Sequence, residues 1–258
     1  MAAILQIDNV TKQFGGLIAV NHLTIAVEKN NIHSLIGPNG SGKTTIINLI
    51  CGSLKVNEGS IRLNGEPISE LTSPDKIARK GIGRTFQNIK LFNSMTAIEN
   101  IMIGGHAGTR VGILQSLYNP WAAGREEKAL EERAGRILDS LGLYEIRKEL
   151  VKNLPYGRQK MLELGRALMS DPELILLDEP AAGLNPSERL ELIAIITKLF
   201  EQGKTIFLIE HNMDVVMSMS HKITVVNFGA KIAEGLPKEI QNDANVIKAY
   251  LGEKYQKQ

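Results

Sequence analysis

Gly37-Pro38-Asn39-Gly40-Ser41-Gly42-Lys43-Thr44 is the stretch from which the rest of the chain is read. Its spacing, G-x-x-x-x-G-K-[ST], is the pattern of a phosphate-binding loop. Glycines let the backbone wrap a phosphate chain and aim successive N–H groups at it, so Gly37, Asn39, Gly40, Ser41 and Gly42 are candidate binding positions. A helix starting near Lys43 adds about half a positive charge at its N-terminus. Lys43 reaches the β- and γ-phosphates as a point charge. The Thr44 hydroxyl is a candidate Mg2+ ligand, and Thr45 a candidate partner of the α-phosphate. A random chain of this length would carry the pattern about one time in a hundred. The required context is also present: the apolar run Ile32-Ser34-Leu35-Ile36 predicts a strand leading straight into the loop.

Outward from the loop, the N-terminal part reads as β-rich. Leu5 and Ile7 alternate with polar neighbours, as do Leu23, Ile25 and Val27. Ile61 to Leu63 runs into Asn64-Gly65, a type I′ hairpin signal. From about Asn88 to Leu154 the pattern turns helical, with Leu130, Ala134, Ile137, Leu138 and Leu141 on one face and Gly142 as the stop. Met161, Leu164, Gly165 and Leu168 share a face of the next helix, which leads to the apolar strand Leu174 to Leu177. Pro186 starts a helix expected to bury Leu192, Ile195, Ile196 and Leu199; a strand at Thr205 to Ile209 and a hairpin around Phe228-Gly229 follow. Strands alternating with helices imply a parallel sheet with ligands at the strand C-termini.

The strand Leu174-Ile175-Leu176-Leu177 ends in two acids, Asp178 and Glu179. Beside a phosphate loop, Asp178 is expected to hold Mg2+ through water. Strand alternation turns Glu179 elsewhere, toward the γ-phosphate, where a carboxylate can orient or deprotonate the attacking water. Most of the rate then comes from positioning and charge stabilisation.

The 258 residues carry a net charge of +2, which produces no strong field toward nucleic acid or lipid. Cys51 stands alone, so no intramolecular disulfide forms, and it reads as a buried small hydrophobe. Met1 to Val10 shows no signal-peptide pattern. No run of about 18 apolar residues occurs, so the chain is expected in the cytosol, reaching a membrane through a partner.

The phosphate loop, Gly83-Arg84-Thr85-Phe86-Gln87, Leu154-Pro155-Tyr156-Gly157-Arg158-Gln159, Asp178-Glu179-Pro180 and His211 follow one another in an order that resembles the nucleotide-binding subunits of ATP-binding-cassette (ABC) transporters. The resemblance covers essentially the whole chain. It implies an α/β P-loop NTPase (RecA-like) core with an N-terminal antiparallel β-subdomain and an inserted α-helical subdomain. The division expected is 1–87 with 155–240 for the core, 88–154 for the helical subdomain and 241–258 for a C-terminal helical tail. The resemblance also implies ATP and Mg2+ as cofactors. Phe14 would stack on adenine, although by sequence alone it is equally a core aromatic. Gln87 would contact Mg2+ and the water and couple to a membrane partner; His211 would contact the γ-phosphate. Glu179, His211, Lys43 and Gln87 are thus the candidate catalytic residues, and Thr44, Gln87 and Asp178 the candidate metal ligands. His22, His33, His106 and His221 read as structural.

Two departures stand out. The family's usual Leu-Ser-Gly-Gly-Gln is Leu154-Pro155-Tyr156-Gly157-Arg158 here, and proline lacks both hydroxyl and N–H. Tyr156 and Gly157, with the helix start after them, would face a partner subunit's nucleotide in trans. Ala182-Gly183-Leu184-Asn185 has asparagine where aspartate is common. These variants, with Phe14-Gly15-Gly16 and Thr85-Phe86-Gln87-Asn88, look like the subgroup serving branched-chain amino acid importers. The partners implied are integral membrane permease subunits, a second ABC ATPase in a homo- or heterodimer, and indirectly a substrate-binding protein. The place implied is the cytoplasmic face of the membrane. Urea or amide uptake, export, lipid extraction and a soluble non-transport role are the alternatives. A GTPase is disfavoured, because no N-K-x-D guanine reader accompanies Asp139-Ser140-Leu141-Gly142. Val111 to Gly124, uncharged and carrying Leu114, Leu117, Tyr118 and Trp121, is either local packing or a dock for a membrane partner's helix, and its Gly, Pro and Asn are expected to break any long helix.

Overall fold

A computed structural model describes residues 2–71, 73–105 and 120–255. Four strands, β1 (Ala3–Phe14), β2 (Leu17–Glu28), β4 (Glu58–Leu63) and β5 (Glu66–Pro67), form an antiparallel sheet in the order β2-β1-β4-β5. Six more form the second sheet: β10 (Ala230–Gly235), β9 (Lys222–Asn227), β3 (Ile32–Ile36), β8 (Thr205–Ile209), β7 (Leu174–Asp178) and β6 (Ile82–Arg84), in that order. Its neighbours are parallel except for the β9-β10 hairpin. The α/β class read from the residues and the N-terminal antiparallel sheet implied by the resemblance are both found.

Helices occupy the connections. In chain order they are α1 (Lys43–Ile50), α2 (Pro74–Ala78), α3 (Ala97–Ile103), α4 (Pro120–Ser140), α5 (Tyr156–Leu168), α6 (Pro186–Glu201), α7 (Met213–Met219), α8 (Pro237–Asn242) and α9 (Ala244–Tyr255). Between β6 and β7 the described chain is helical, with α3, α4 and α5 packed on one another.

The central strands read as unbroken apolar runs because both faces are covered. Leu174 and Leu176 of β7 face the core shared with the antiparallel sheet and α1, while Ile175 and Leu177 face the helical side. On β8, Phe207 and Ile209 take the first side, Ile206 and Leu208 the second. A third core joins Ile36, Val216, Ile223, Val225, Ile240 and Val246 and seats the C-terminal helices.

Local chemistry sets the punctuation. Asn64-Gly65 and Phe228-Gly229 hold both central φ angles positive, at 50° and 80° and at 46° and 78°, as a type I′ hairpin requires. The Asn185 side chain accepts from the Glu188 N–H, the Glu188 carboxylate accepts from the Asn185 N–H, and Pro186 takes the first turn of α6. Gly142, at φ 67°, follows α4 in the left-handed conformation that ends helices.

Two expectations need correction. Ile195 is half-buried, packed on the helical core from its edge. Pro120 opens α4 instead of preventing a helix, and α4 runs on through Gly124 to Ser140. Proline fits a first helical position because its missing N–H has no intrahelical partner there. The stretch with Leu114, Leu117 and Tyr118, and His106, lie outside the described residues.

Candidate active site

Parallel register gathers the site. Leu35 of β3 and Asp178 of β7 both pair with Ile209 of β8, and Arg84 of β6 pairs with Leu176 of β7. The C-terminal ends of β3, β6, β7 and β8 therefore open on one edge of the sheet, where such sheets bind ligands. A cavity of about 470 Å³ lies there, lined by Phe14, Leu17, Ile18, residues 39–45, Gln87, Glu179, His211 and Phe228.

The phosphate loop closes on itself. The buried Lys43 ammonium donates to the carbonyls of Gly37 and Pro38 at 2.7 and 2.8 Å, and to Ser41 Oγ at 3.4 Å. Backbone passes close on both sides: a Cβ on Gly37 would stand 2.0 Å from the Val226 carbonyl, and one on Gly42 2.4 Å from that of Ala19. Those two positions admit only glycine, which keeps the loop narrow and its amides bare of side chains. Gly42 caps α1 without a side-chain hydrogen bond, so the helix start presents its N–H groups.

Opposite the loop, three segments meet at one carboxylate. Glu179 Oε2 accepts from Gln87 Nε2 at 2.9 Å, and Glu179 Oε1 lies 2.7 Å from His211 Nε2. Gln87 and His211 thus grip both oxygens and leave the carboxyl a single orientation. The reason Glu179 and Asp178 part company differs from the strand alternation expected. β7 ends at Asp178, and Glu179 takes a left-handed φ of 50°, an arrangement that costs a non-glycine residue about 1 kcal/mol or more. Its N–H donates to Ile209 O at 2.9 Å, which secures the turn.

Asp178 is buried and held apart from that cluster. Arg84 Nη2 lies 3.5 Å from its Oδ2, and Arg84 Nη1 ties the pair to α1 by donating to Asn48 Oδ1 at 3.0 Å. Burial pushes the Asp178 carboxyl above its ordinary range; Arg84 pulls it down and Glu179 pushes it up. Phe14 is exposed at the end of β1, with the Lys12 ammonium 5.0 Å from its ring centre, so it is no core aromatic. Thr44 and Thr45 line the cavity. Tyr156 and Gly157 do not. They open α5 against the chain that follows Glu179, where Tyr156 covers Gly183 and Gly157 abuts the Glu188 carboxylate. His33 and His221 sit in hydrogen bonds within the sheet, to Thr224 and to the Ile32 N–H, and His22 contacts Asn9. Cys51 is buried, and burial pushes its thiol up to about 11.

Three residues of the site are not singled out by the sequence patterns. Buried Glu210 accepts from Ala181 N at 2.7 Å and from His211 N and Asn212 N at 3.0 and 3.2 Å, pinning the two loops that carry Glu179 and His211. Its signal is an acid closing an apolar strand, directly before His211. Arg84 stands in the sequence only as one letter of a motif. Phe228 marks a turn there, and in the fold it stands exposed on the cavity rim.

A family model described as ABC transporter matches residues 20–182. The chain belongs to the ABC transporter family of ATP-binding cassettes. A second model, described as branched-chain amino acid ATP-binding cassette transporter, matches residues 230–255 of this cassette. The cassette is 45% identical over 251 residues to the high-affinity branched-chain amino acid transport ATP-binding protein BraF of Pseudomonas aeruginosa, covering 97% of this chain and 98% of the relative. It is 41% identical, with the same coverage, to the corresponding protein LivG of Escherichia coli. Among solved structures, the ADP conformation of an ATP-binding cassette of an ABC transporter superposes with a TM-score of 0.85 at 34% identity, over 98% of this chain and 100% of that one. A dimeric cassette in a post-hydrolysis state with ADP and Pi superposes with a TM-score of 0.76 at 25% identity, over 90% and 98%. A cassette of this family is the ATPase subunit of a transporter and works with membrane permease subunits. Among the described residues of this one, no helix is long and apolar enough to cross a membrane.

Proposed function

We propose that this chain hydrolyses ATP with Mg2+ as the cytoplasmic-face ATPase of an importer for branched-chain amino acids. The observation that carries the catalytic part is the Glu179 carboxylate, gripped by Gln87 and His211 across the cavity from the phosphate loop. Lys43 and the amides of Gly37 and residues 39–45 hold the phosphates, with Thr45 at the α-phosphate. Phe14 offers an exposed ring to the adenine. Thr44, Gln87 and Asp178 are the metal ligands. Hydroxyl, amide and a single carboxylate suit Mg2+, a hard ion that arrives with phosphate oxygens, and no group of three or more His, Cys, Asp or Glu gathers among the described residues. When bound, Mg2+ neutralises charge on the phosphates. Glu179 orients and deprotonates the attacking water, Gln87 and His211 fix its carboxylate, and His211 also reaches the γ-phosphate.

Tyr156 and Gly157 lie outside this chain's own cavity, which supports a role in trans, on the nucleotide of a second cassette of the same or a related kind. Residues 88–154 form the helical subdomain that passes closure of such a dimer to the permease, 1–87 and 155–240 the core, and 241–258 the tail. The names of the relatives and the C-terminal match support branched-chain amino acids, delivered by a substrate-binding protein.

The test uses the Glu179→Gln chain as bait, with ATP and Mg2+, in detergent extracts of its native membranes. Two integral membrane proteins, a second cassette and a binding protein for branched-chain amino acids are the expected companions. Soluble partners alone, in an extract whose other transporters remain assembled, would sink the importer reading.

A further inference from the structure

Helix α5 grips the segment that carries Gln87 with three side chains on one face. Lys160 Nζ donates to Gln87 O at 3.0 Å, Glu163 Oε1 accepts from Lys90 N at 3.1 Å, and Arg166 Nη1 donates to Lys90 O. Positions 160, 163 and 166 recur at the spacing that keeps side chains on one side of a helix. Lys160 does one thing more. Its ammonium also donates to Glu179 O, at 3.4 Å. One buried cation thus joins the backbones of the two residues whose side chains meet at 2.9 Å.

We propose that Lys160 is a positioning residue for ATP hydrolysis, whose ammonium locks the backbones of Gln87 and Glu179 together and so sets the Glu179 carboxylate from the start of α5. The inference rests on Glu179 and Gln87 acting as described under the proposed function. An ammonium suits this place because it is compact and carries three donors that rotate to meet carbonyls from different directions. Its surroundings keep it there: burial pulls Lys160 below the ordinary lysine range, while the carboxylates of Glu163, Glu210, Glu179 and Asp178 pull it back up. Tyr156 lies one turn earlier on the same face, its ring centre 5.9 Å from the ammonium. The helix start that offers Tyr156 and Gly157 to a partner's nucleotide is therefore tied, through Lys160, to the water-directing acid of its own subunit. A shift of α5 on one nucleotide moves Glu179 at the other.

The experiment measures ATP binding and turnover of the full-length chain, with Glu179→Gln run in parallel. Lys160→Met keeps the stem and removes the donors. Its kcat per bound nucleotide is expected to fall about 10- to 100-fold, as for lost charge-assisted hydrogen bonds, with the ATP Kd within about threefold. Lys160→Arg is expected to recover most of the loss. A merely structural lysine would lower the thermal midpoint and the yield of folded protein, leaving kcat per bound nucleotide intact. Because Lys160→Met leaves buried Glu163 with one cation fewer, Arg166 alone, Lys160→Met/Glu163→Gln is measured as well, with both substituted charges removed. If either variant turns over within about twofold of the parent while Glu179→Gln is inactive, the Lys160 inference falls and the site reading stands. Parent-like hydrolysis by Glu179→Gln would remove the reading on which the inference is built.

Discussion

The phosphate loop and the Glu179 cluster face each other across one cavity, yet they are built in opposite ways. The loop is local: Lys43 folds back onto Gly37, Pro38 and Ser41, all within seven residues of chain. The cluster is assembled: Gln87 and Glu179 are 92 residues apart in sequence, and His211 comes from the end of a third strand. A region of the first kind carries its own geometry wherever a strand and a helix flank it. A region of the second kind inherits its geometry from strand register and from the groups, Glu210 and Lys160, that lash its loops together. On the proposed function, the phosphates are held by a short segment, and turnover is a property of the whole sheet edge.

The sharpest way to break this contrast is Glu179→Gln. Turnover is expected to fall about 100- to 1,000-fold, as for loss of a general base, with the ATP Kd within about threefold. Equal hydrolysis by variant and parent would show that the cluster is not the catalytic half.

Acid should abolish the two regions together, because β3 carries the loop and also flanks β8, which leads to His211. Burial lowers buried His33 of β3 to about 4, with Glu234 opposing and Lys222 and Lys231 assisting. Between about pH 6.5 and 4 the unfolded chain takes up a proton that the fold refuses. Stability is therefore whole above the unfolded value and declines as pH falls, by about 3 kcal/mol once His33 is protonated in both states. Denaturant titrations of the parent and His33→Leu across that window should differ in slope, and parallel curves would refute the assignment.

Lys43→Ala strikes the local region. ATP affinity is expected to drop about 10- to 100-fold, the worth of charge-assisted contacts to phosphate, in a direct binding assay. Retained affinity would mean that the loop holds phosphate through its amides alone. The smallest effect should come from Glu210→Gln. Its amide meets N–H groups that need acceptors, so stability falls by about 1–3 kcal/mol and kcat by about tenfold, while Kd for ATP stays near the parent's. A larger change in Kd than in kcat would blur the division between the two regions.

The same contrast divides what the chain discloses residue by residue from what it keeps back. Patterns carried by near neighbours are readable: the loop spacing, the period-two strands around Leu5 and Leu23, the Asn64-Gly65 turn and the Pro186 helix start all appear where expected. Phe14 stays undecided in the sequence because an aromatic at a strand end looks alike whether it faces a core or a cavity. The helix from Pro120 is hidden when breakers are counted without regard to position, since proline at a first turn breaks nothing.

Glu210, Arg84 and Lys160 give no comparable signal, since each reaches a group far away in sequence, and Phe228 lines the cavity only because the fold brings its turn there. Lys160 reads locally as one more charged residue in Arg158-Gln159-Lys160, and only the packing of α5 against the chain after β6 turns it inward. Likewise, Asp178-Glu179 announces two acids at a strand end, but how they separate depends on where β7 stops and on the left-handed turn at Glu179. Short-range patterning is written in backbone preference and hydrophobic period, which act over a few residues, so the strands, the loop and the α/β class can be read from the chain alone. The grip on the Glu179 carboxylate depends on contacts that exist only after the ends of β6, β7 and β8 have been brought into register, so it belongs to the tertiary structure.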